Sequence, residues 1–252
     1  MTHPFDLTGR VALVTGANSG IGQGIAIALA HAGADIVAAG RTAPLETQAA
    51  VEKAGRRFHA VSADFAAPAR VAAVIEEAVS RAGAVDILVN NAGMIRRGAA
   101  LDFTEADWDS VLDVNLKSVF FLSQAAARWM LGRGRGGKII NIASLLSFQG
   151  GIRVASYTAA KSGLAGLTKI LANEWAPLGI NVNAIAPGYI ATRNTTALRE
   201  DEARNREITA RIPAGRWGRP DDIGGAAVFL ASEAANYVHG IVLPVDGGWL
   251  AR

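Results

Sequence analysis

Ser144 closes the run "KIINIAS", Tyr157 and Lys161 stand four positions apart in "SYTAAKSG", and Asn115 lies upstream in "DVNLKS". Four positions make about one helical turn, so phenol and ammonium share a helix face. A phenol has a reference pKa of about 10 and is a poor acid or base at neutral pH. A nearby ammonium favours the phenolate and brings the group toward the working range. Hydride transfer to a ketone builds negative charge on oxygen, which calls for a proton donor and a second hydrogen bond. Tyr157 and Ser144 match those two needs. Lys161 can also hold the ribose of a nicotinamide, and Asn115 can fix a water behind the lysine for proton relay. Each residue alone has a plain structural reading, a helix kink for Asn115 or a strand end for Ser144. Together they point to interconversion of a carbonyl and an alcohol.

Such a set needs a scaffold that brings distant segments together. Seven short β-branched runs recur along the chain: "RVALVTG", "DIVAAG", "RFHAVSAD", "VDILVNNAG", "KIINIAS", "INVNAIAPG" and "IVLPVDGG". Longer Ala/Leu-rich stretches with helical spacing separate them. Continuous apolar runs suit strands covered on both faces, as in a parallel sheet. The alternation predicts an α/β fold: a single-domain, doubly wound parallel sheet of about seven strands with helices on both faces. No linker, repeat or low-complexity segment divides residues 1–252. Glycine and proline fall at the strand ends, where ligands of such sheets bind.

The stretch "VALVTGANSGIGQGIAIALA" reads as strand, glycine turn and apolar helix. Gly16, Gly20 and Gly22 let the backbone approach a pyrophosphate, and the helix N-terminus offers free N–H groups and a positive dipole end. Asn18, Ser19 and Ile21 lie in the same turn and are counted with the glycines toward a dinucleotide, NAD or NADP. An acid at the end of the second strand would bond the ribose hydroxyls of NAD. Here that strand ends in Gly40 and Arg41. Arg41 leans the reading toward the 2′-phosphate of NADP, although it also suits a solvated loop, and Ser19 adds no second cation. Asp64, after the third strand, can accept from an adenine amino group or be a plain loop aspartate.

Composition removes other classes. The chain has no cysteine, which excludes disulfides and thiolate metal sites and fits a cytoplasmic protein. His3, His31, His59 and His239 are scattered without ligand spacing, so no metal is expected. A formal charge of only +3, with bases and acids interleaved, does not indicate a nucleic-acid surface. No apolar run is long enough to span a membrane, and "MTHPFDLTGR" has no signal-peptide core.

The glycine turn, "NNAG" at 90–93, the Asn–Ser–Tyr–Lys set and "PG" followed by Thr192 resemble the short-chain dehydrogenase/reductases over essentially the whole chain. That resemblance implies that Asn91, Ala92 and Gly93 line the adenosine side of the cofactor site, and that Pro187, Gly188, Ile190 and Thr192 flank the nicotinamide. It also implies a homotetramer. The stretches "NAGMIRRGAAL", "SLLSFQGGIRVASYTAAKSG" and "IPAGRWG", with "VDGGWLAR", are similar to the branch of that family that interconverts 2-keto-3-deoxygluconate and its 2,5-diketo form in the degradation of pectin-derived uronates.

A sugar acid carries a carboxylate, which an arginine fork binds well. Arg153 is the first candidate, by its place between Ser144 and Tyr157. Arg96 (or its neighbour Arg97) and Arg193 follow, with Gln149 for substrate hydroxyls; each arginine also suits a surface or subunit contact. Residues 193–219 are charged and amphipathic, readable as a substrate lid or as two static surface helices. The C-terminal "GGWLAR" reads as own core or as an arm toward a neighbouring subunit. Two rival functions remain. A 3-oxoacyl thioester reductase would share the tetrad and want a basic patch, for which Arg96, Arg97, Arg133 and Arg135 are available. A non-catalytic dinucleotide sensor would keep the glycine turn without needing the tetrad.

Overall fold

The computed structural model describes residues 3–252. Seven strands, β1 (Val11–Thr15), β2 (Asp35–Gly40), β3 (Phe58–Ser62), β4 (Ile87–Asn90), β5 (Gly137–Ile142), β6 (Ile180–Pro187) and β7 (Val242–Val245), form one sheet in the order β3-β2-β1-β4-β5-β6-β7. Every neighbouring pair is parallel. All seven apolar runs of the sequence are strands, as expected.

The inner strands alternate between two cores because successive side chains point to opposite faces. Val11 and Leu13 of β1 join Leu88 of β4 on one face, while Ala12 and Val14 join Ile87 and Val89 on the other. Helices α1 (Gly20–His31), α2 (Leu45–Lys53), α3 (Ala72–Ala82), α4 (Glu105–Leu112), α5 (Ser118–Gly132), α6 (Ala155–Trp175), α7 (Thr196–Glu200), α8 (Glu202–Arg211) and α9 (Pro220–Ala231) complete the layers. Val74 and Ile75 of α3 and Leu122 and Met130 of α5 pack on the first face; Ile25 and Leu29 of α1 and Ile223 and Leu230 of α9 pack on the second. Small residues let α1 and α9 approach closely: a Cβ on Gly224 would lie 2.6 Å from that of Ala28.

Strand order reverses between β1 and β4, which opens a crevice at their carboxyl ends. A buried polar ladder ties this edge to α6. Asn90 Nδ2 donates to Asn141 Oδ1 at 2.8 Å, and Asn141 Nδ2 donates to Thr168 Oγ1 at 3.0 Å. No described helix is long and apolar enough to cross a membrane.

Residues 193–219 hold α7 and α8, and their two ends meet: Ala191 N donates to Gly218 O at 2.8 Å and Gly218 N to Tyr189 O at 2.9 Å. Ile208, Ile212 and Trp217 of this segment pack with Leu145, Tyr189 and Trp249. The C-terminal tail lies on its own chain, since Arg252 Nη2 donates to Ala210 O at 2.6 Å at the end of α8.

Candidate active site

Above the crevice lies a cleft of roughly 670 Å³. At one end is the turn between β1 and α1. Gly16 and Gly20 have φ of +66° and +58°, a region open to glycine at little cost. At Gly22 the constraint is space: a Cβ there would lie 2.4 Å from Gly16 O and from Asn91 Nδ2. The Ser19 side chain does not cap α1, so the first N–H groups of that helix stay available to an anion.

Asn91 and Ala92 are fixed by Thr15, whose Oγ1 accepts from both backbone N–H groups at 2.9 and 2.8 Å. Asn91 Nδ2 in turn donates to Thr15 O at 2.8 Å and Gly16 O at 3.2 Å, locking the glycine turn to the end of β4. Arg41 and Asp64 line the same end of the cleft. The side chain of Arg41 makes no ion pair or hydrogen bond among the described residues, whereas one Asp64 oxygen accepts from Ala66 N at 3.0 Å. Pro187, Gly188, Ile190 and Thr192 form the opposite wall, with Asn18, Ser19, Ile21 and Gly93 completing the lining. Every residue expected on the cofactor side therefore faces one cavity.

Ser144, Tyr157 and Lys161 meet at the base of this cleft. Ser144 lies two residues beyond β5, and its Oγ accepts from Leu146 N at 3.2 Å. Lys161, one turn along α6 from Tyr157, is 5% exposed, and its Nζ donates to Ile142 O at 2.6 Å. Burial lowers the Lys161 pKa to about 8. Burial also raises that of Tyr157 above the ordinary phenol value; hydrogen bonding from Ser144 and the charge of Arg97 oppose the rise. The cation that opposes the rise at the phenol is Arg97; the Lys161 ammonium lies 5.6 Å from the centroid of the ring.

Asn115 does not line the cleft. It sits fully buried in a π-helical turn, Asp113–Lys117, between α4 and α5. Its Oδ1 accepts from Met94 N at 3.0 Å and its Nδ2 donates to Met94 O at 2.7 Å. Both ends of the amide therefore brace the loop that follows Gly93, and the side chain acts behind the wall of the cleft.

The arginines separate clearly. Arg97 and Arg193 line the cleft; Arg153 and Arg96 do not. Arg96 pairs with Asp107 at 3.3 Å. Arg153 is exposed outside the cavity, with φ of +63°. Gln149 is also outside, its Oε1 accepting from Trp249 Nε1 at 3.3 Å. Arg153, the first candidate by sequence position, lies outside the residues that line this cleft. Of the two arginines after "NAG", Arg97 is the one in the cleft. Met94, Ile95 and Asn194, which also line it, carry no signal in the sequence beyond their nearness to "NNAG" and Thr192.

A family model described as enoyl-(acyl carrier protein) reductase matches residues 16–250. A curated relative from Dickeya dadantii, named 2-dehydro-3-deoxy-D-gluconate 5-dehydrogenase, is 59% identical over 250 residues, 99% of each chain. This chain belongs to the short-chain dehydrogenase/reductase family. An Escherichia coli relative of the same name is likewise 59% identical, over 98% of each chain. A crystal structure from Agrobacterium tumefaciens, described as a candidate 2-deoxy-D-gluconate 3-dehydrogenase with bound NADP, superposes with a TM-score of 0.95 at 63% identity, covering all of both chains. The chain is an oxidoreductase of a family that uses NAD(P).

Proposed function

We propose that this enzyme is an NADP-preferring 2-keto-3-deoxygluconate 5-dehydrogenase, interconverting that sugar acid and its 2,5-diketo form. The observation that carries the reading is that Ser144, Tyr157 and Lys161 share one cleft with Arg97, a guanidinium that has no carboxylate partner among the described residues. Full-length relatives named for the same substrate support it.

A bound nicotinamide would supply or accept the hydride. Tyr157 gives a proton to the substrate oxygen on reduction and takes it back on oxidation, while the Ser144 hydroxyl donates a hydrogen bond to the same oxygen. Lys161, held by Ile142 O, points its remaining N–H groups into the cleft toward a ribose. Arg97 takes the substrate carboxylate with its planar fork. Arg41, free of any acid, suits a 2′-phosphate, and Gly40 leaves the adjoining position without a carboxylate to repel it.

The thioester reading fits less well. Arg96 and Arg97 follow the carboxyl end of β4, whereas Arg133 and Arg135 precede the amino end of β5, and Arg133 pairs with Asp86 at 3.0 Å. Those four arginines lie at opposite ends of a parallel sheet and make no common patch for a carrier protein.

Residues 193–219 act as a hinged flap of a single domain 1–252, their ends joined at Ile190 and Gly218. The exposed Trp108, Phe121 and Ile170 of α4, α5 and α6 support self-association, for which a homotetramer is proposed. The deciding assay follows absorbance at 340 nm with 2-keto-3-deoxygluconate and NADP or NAD, and with an acetoacetyl thioester and NADPH. Sugar-acid-dependent reduction, faster with NADP, is expected. Turnover of the thioester alone would overturn the substrate assignment and leave the tetrad standing.

A further inference from the structure

Arg153 is the one described non-glycine residue with positive φ, at +63°. This left-handed conformation is costly for a residue with a Cβ and persists where surroundings impose it. Its side chain offers no explanation, being exposed and without a hydrogen bond or ion pair among the described residues. The backbone does. Arg153 O accepts from Gly98 N at 3.0 Å, next to the arginine that lines the cleft. On the other side, the buried Val154 caps α6, the helix that carries Tyr157 and Lys161. Val154 is wedged in place, since a Cβ on Gly151 would lie 2.7 Å from its Cγ2. One hydrogen bond therefore joins the loop bearing Arg97 to the residue before the N-cap of the helix bearing Tyr157.

We propose that Arg153 is a positioning residue whose left-handed backbone, through Gly98, holds Arg97 on the cleft wall opposite Tyr157, while its guanidinium takes no part in binding. The inference rests on the assignment of Arg97 to the substrate carboxylate. It differs from the reading of Arg153 as a carboxylate ligand in what it requires: a backbone conformation, and no particular side chain.

The test compares Arg153→Gly and Arg153→Asn, which adopt positive φ readily, with Arg153→Val, which resists it. Both Gly and Asn variants are expected to keep the KM for 2-keto-3-deoxygluconate within about twofold, whereas Val raises it about tenfold or more with a smaller change in kcat. NADPH affinity, measured by fluorescence, is expected to match wild type in all three and so reports an intact fold; Arg153→Ala replaces Val if that variant fails this check. Adding Arg153→Val to Arg97→Met should cost little more than Arg97→Met alone, because both act on one contact. Equal loss in the Gly, Asn and Val variants would assign the role to the guanidinium and overturn the proposal, as would full additivity with Arg97→Met or a Val variant equal to wild type.

A pH profile with a neutral ketone separates this from the substrate assignment. The charges facing the Tyr157 phenol are Arg97 and Lys161, with the Ser144 hydroxyl beside them. Displacing Arg97 should move the limb that reports Tyr157 upward in Arg153→Val and in Arg97→Met, and leave it in place in Arg153→Gly. That readout holds even if the natural substrate proves not to be a sugar acid. An unmoved limb in Arg153→Val, with Arg97→Met shifted, would overturn the positioning role by itself.

Discussion

The Nζ of Lys161 stands 5.6 Å from the centroid of the Tyr157 ring and gives its hydrogen bond, 2.6 Å long, to the Ile142 carbonyl. The ammonium thus lies near the ring and is anchored to the end of β5. Burial acts on both groups in the direction that disfavours charge, lowering the lysine to about 8 and raising the tyrosine. Helical spacing guarantees that the two share a face; the reach of each side chain decides what it touches.

Stability should register the buried ammonium. The Lys161 pKa is about 8 in the folded protein against 10.5 for the free side chain, so between those values the unfolded chain holds more protons. Stability from this group therefore rises with pH across roughly 8 to 10.5, by on the order of 3 kcal/mol, and the penalty is fully present below pH 8. Lys161→Met should lack that rise. Lys138, also lowered to about 8 by burial, titrates in the same window. The quantity to compare is therefore the difference between wild-type and variant Tm across pH. Parallel curves would refute the assignment.

Tyr157→Phe removes the proposed general acid and should reduce kcat by about 10³-fold or more, with NADPH affinity kept. Ser144→Ala removes one hydrogen bond to developing charge and should cost on the order of 10²-fold. Single-turnover kinetics with a cofactor titration would check both. A Ser144 variant that changes only KM would mean that the hydroxyl binds substrate without favouring the transition state.

Arg97→Met should raise the KM for the sugar acid by about 100-fold, the scale of a lost charge-assisted bidentate contact, and change a neutral ketose far less. Arg96→Met, which frees Asp107 at the surface, should stay within about threefold. Steady-state kinetics on both substrates would decide; reversed effects would return the carboxylate to Arg96.

Arg41→Ala should lower kcat/KM with NADP about 10- to 100-fold and leave NAD nearly unchanged, since only NADP carries the phosphate that the guanidinium would meet. Equal loss with both nucleotides would make Arg41 a structural residue.

Gly22→Ala should abolish cofactor binding or folding, because the added carbon has no space beside Gly16 O and the Asn91 amide. Nucleotide titration with a thermal melt would separate the two; a variant with wild-type affinity would contradict the closeness of that turn.

Much of this molecule is legible without coordinates, where the signal is local. Apolar runs such as "DIVAAG" and "INVNAIAPG" become inner strands because both faces of a parallel sheet are covered, and a strand of that kind cannot alternate. The glycine turn is readable since Gly16 and Gly20 answer a backbone need that few other residues meet. Tyr157 and Lys161 are linked by helix period alone. Arg97 is different. It is inseparable from Arg96 in "MIRR", because the two lie side by side in a loop without a repeat, and nothing local says which one meets the cleft.

The amino-acid order by itself determined the doubly wound sheet, the glycine turn and the trio that shares its cleft, because each depends on periodicity or on residue types with few alternatives. Only the tertiary structure decided the rest. It turned Arg153 outward and Arg97 inward, placed the Asn115 amide on Met94 behind the cleft, and laid the C-terminal arginine across the end of α8. Those outcomes depend on contacts between segments far apart in the chain, and such contacts leave no period in the sequence to read.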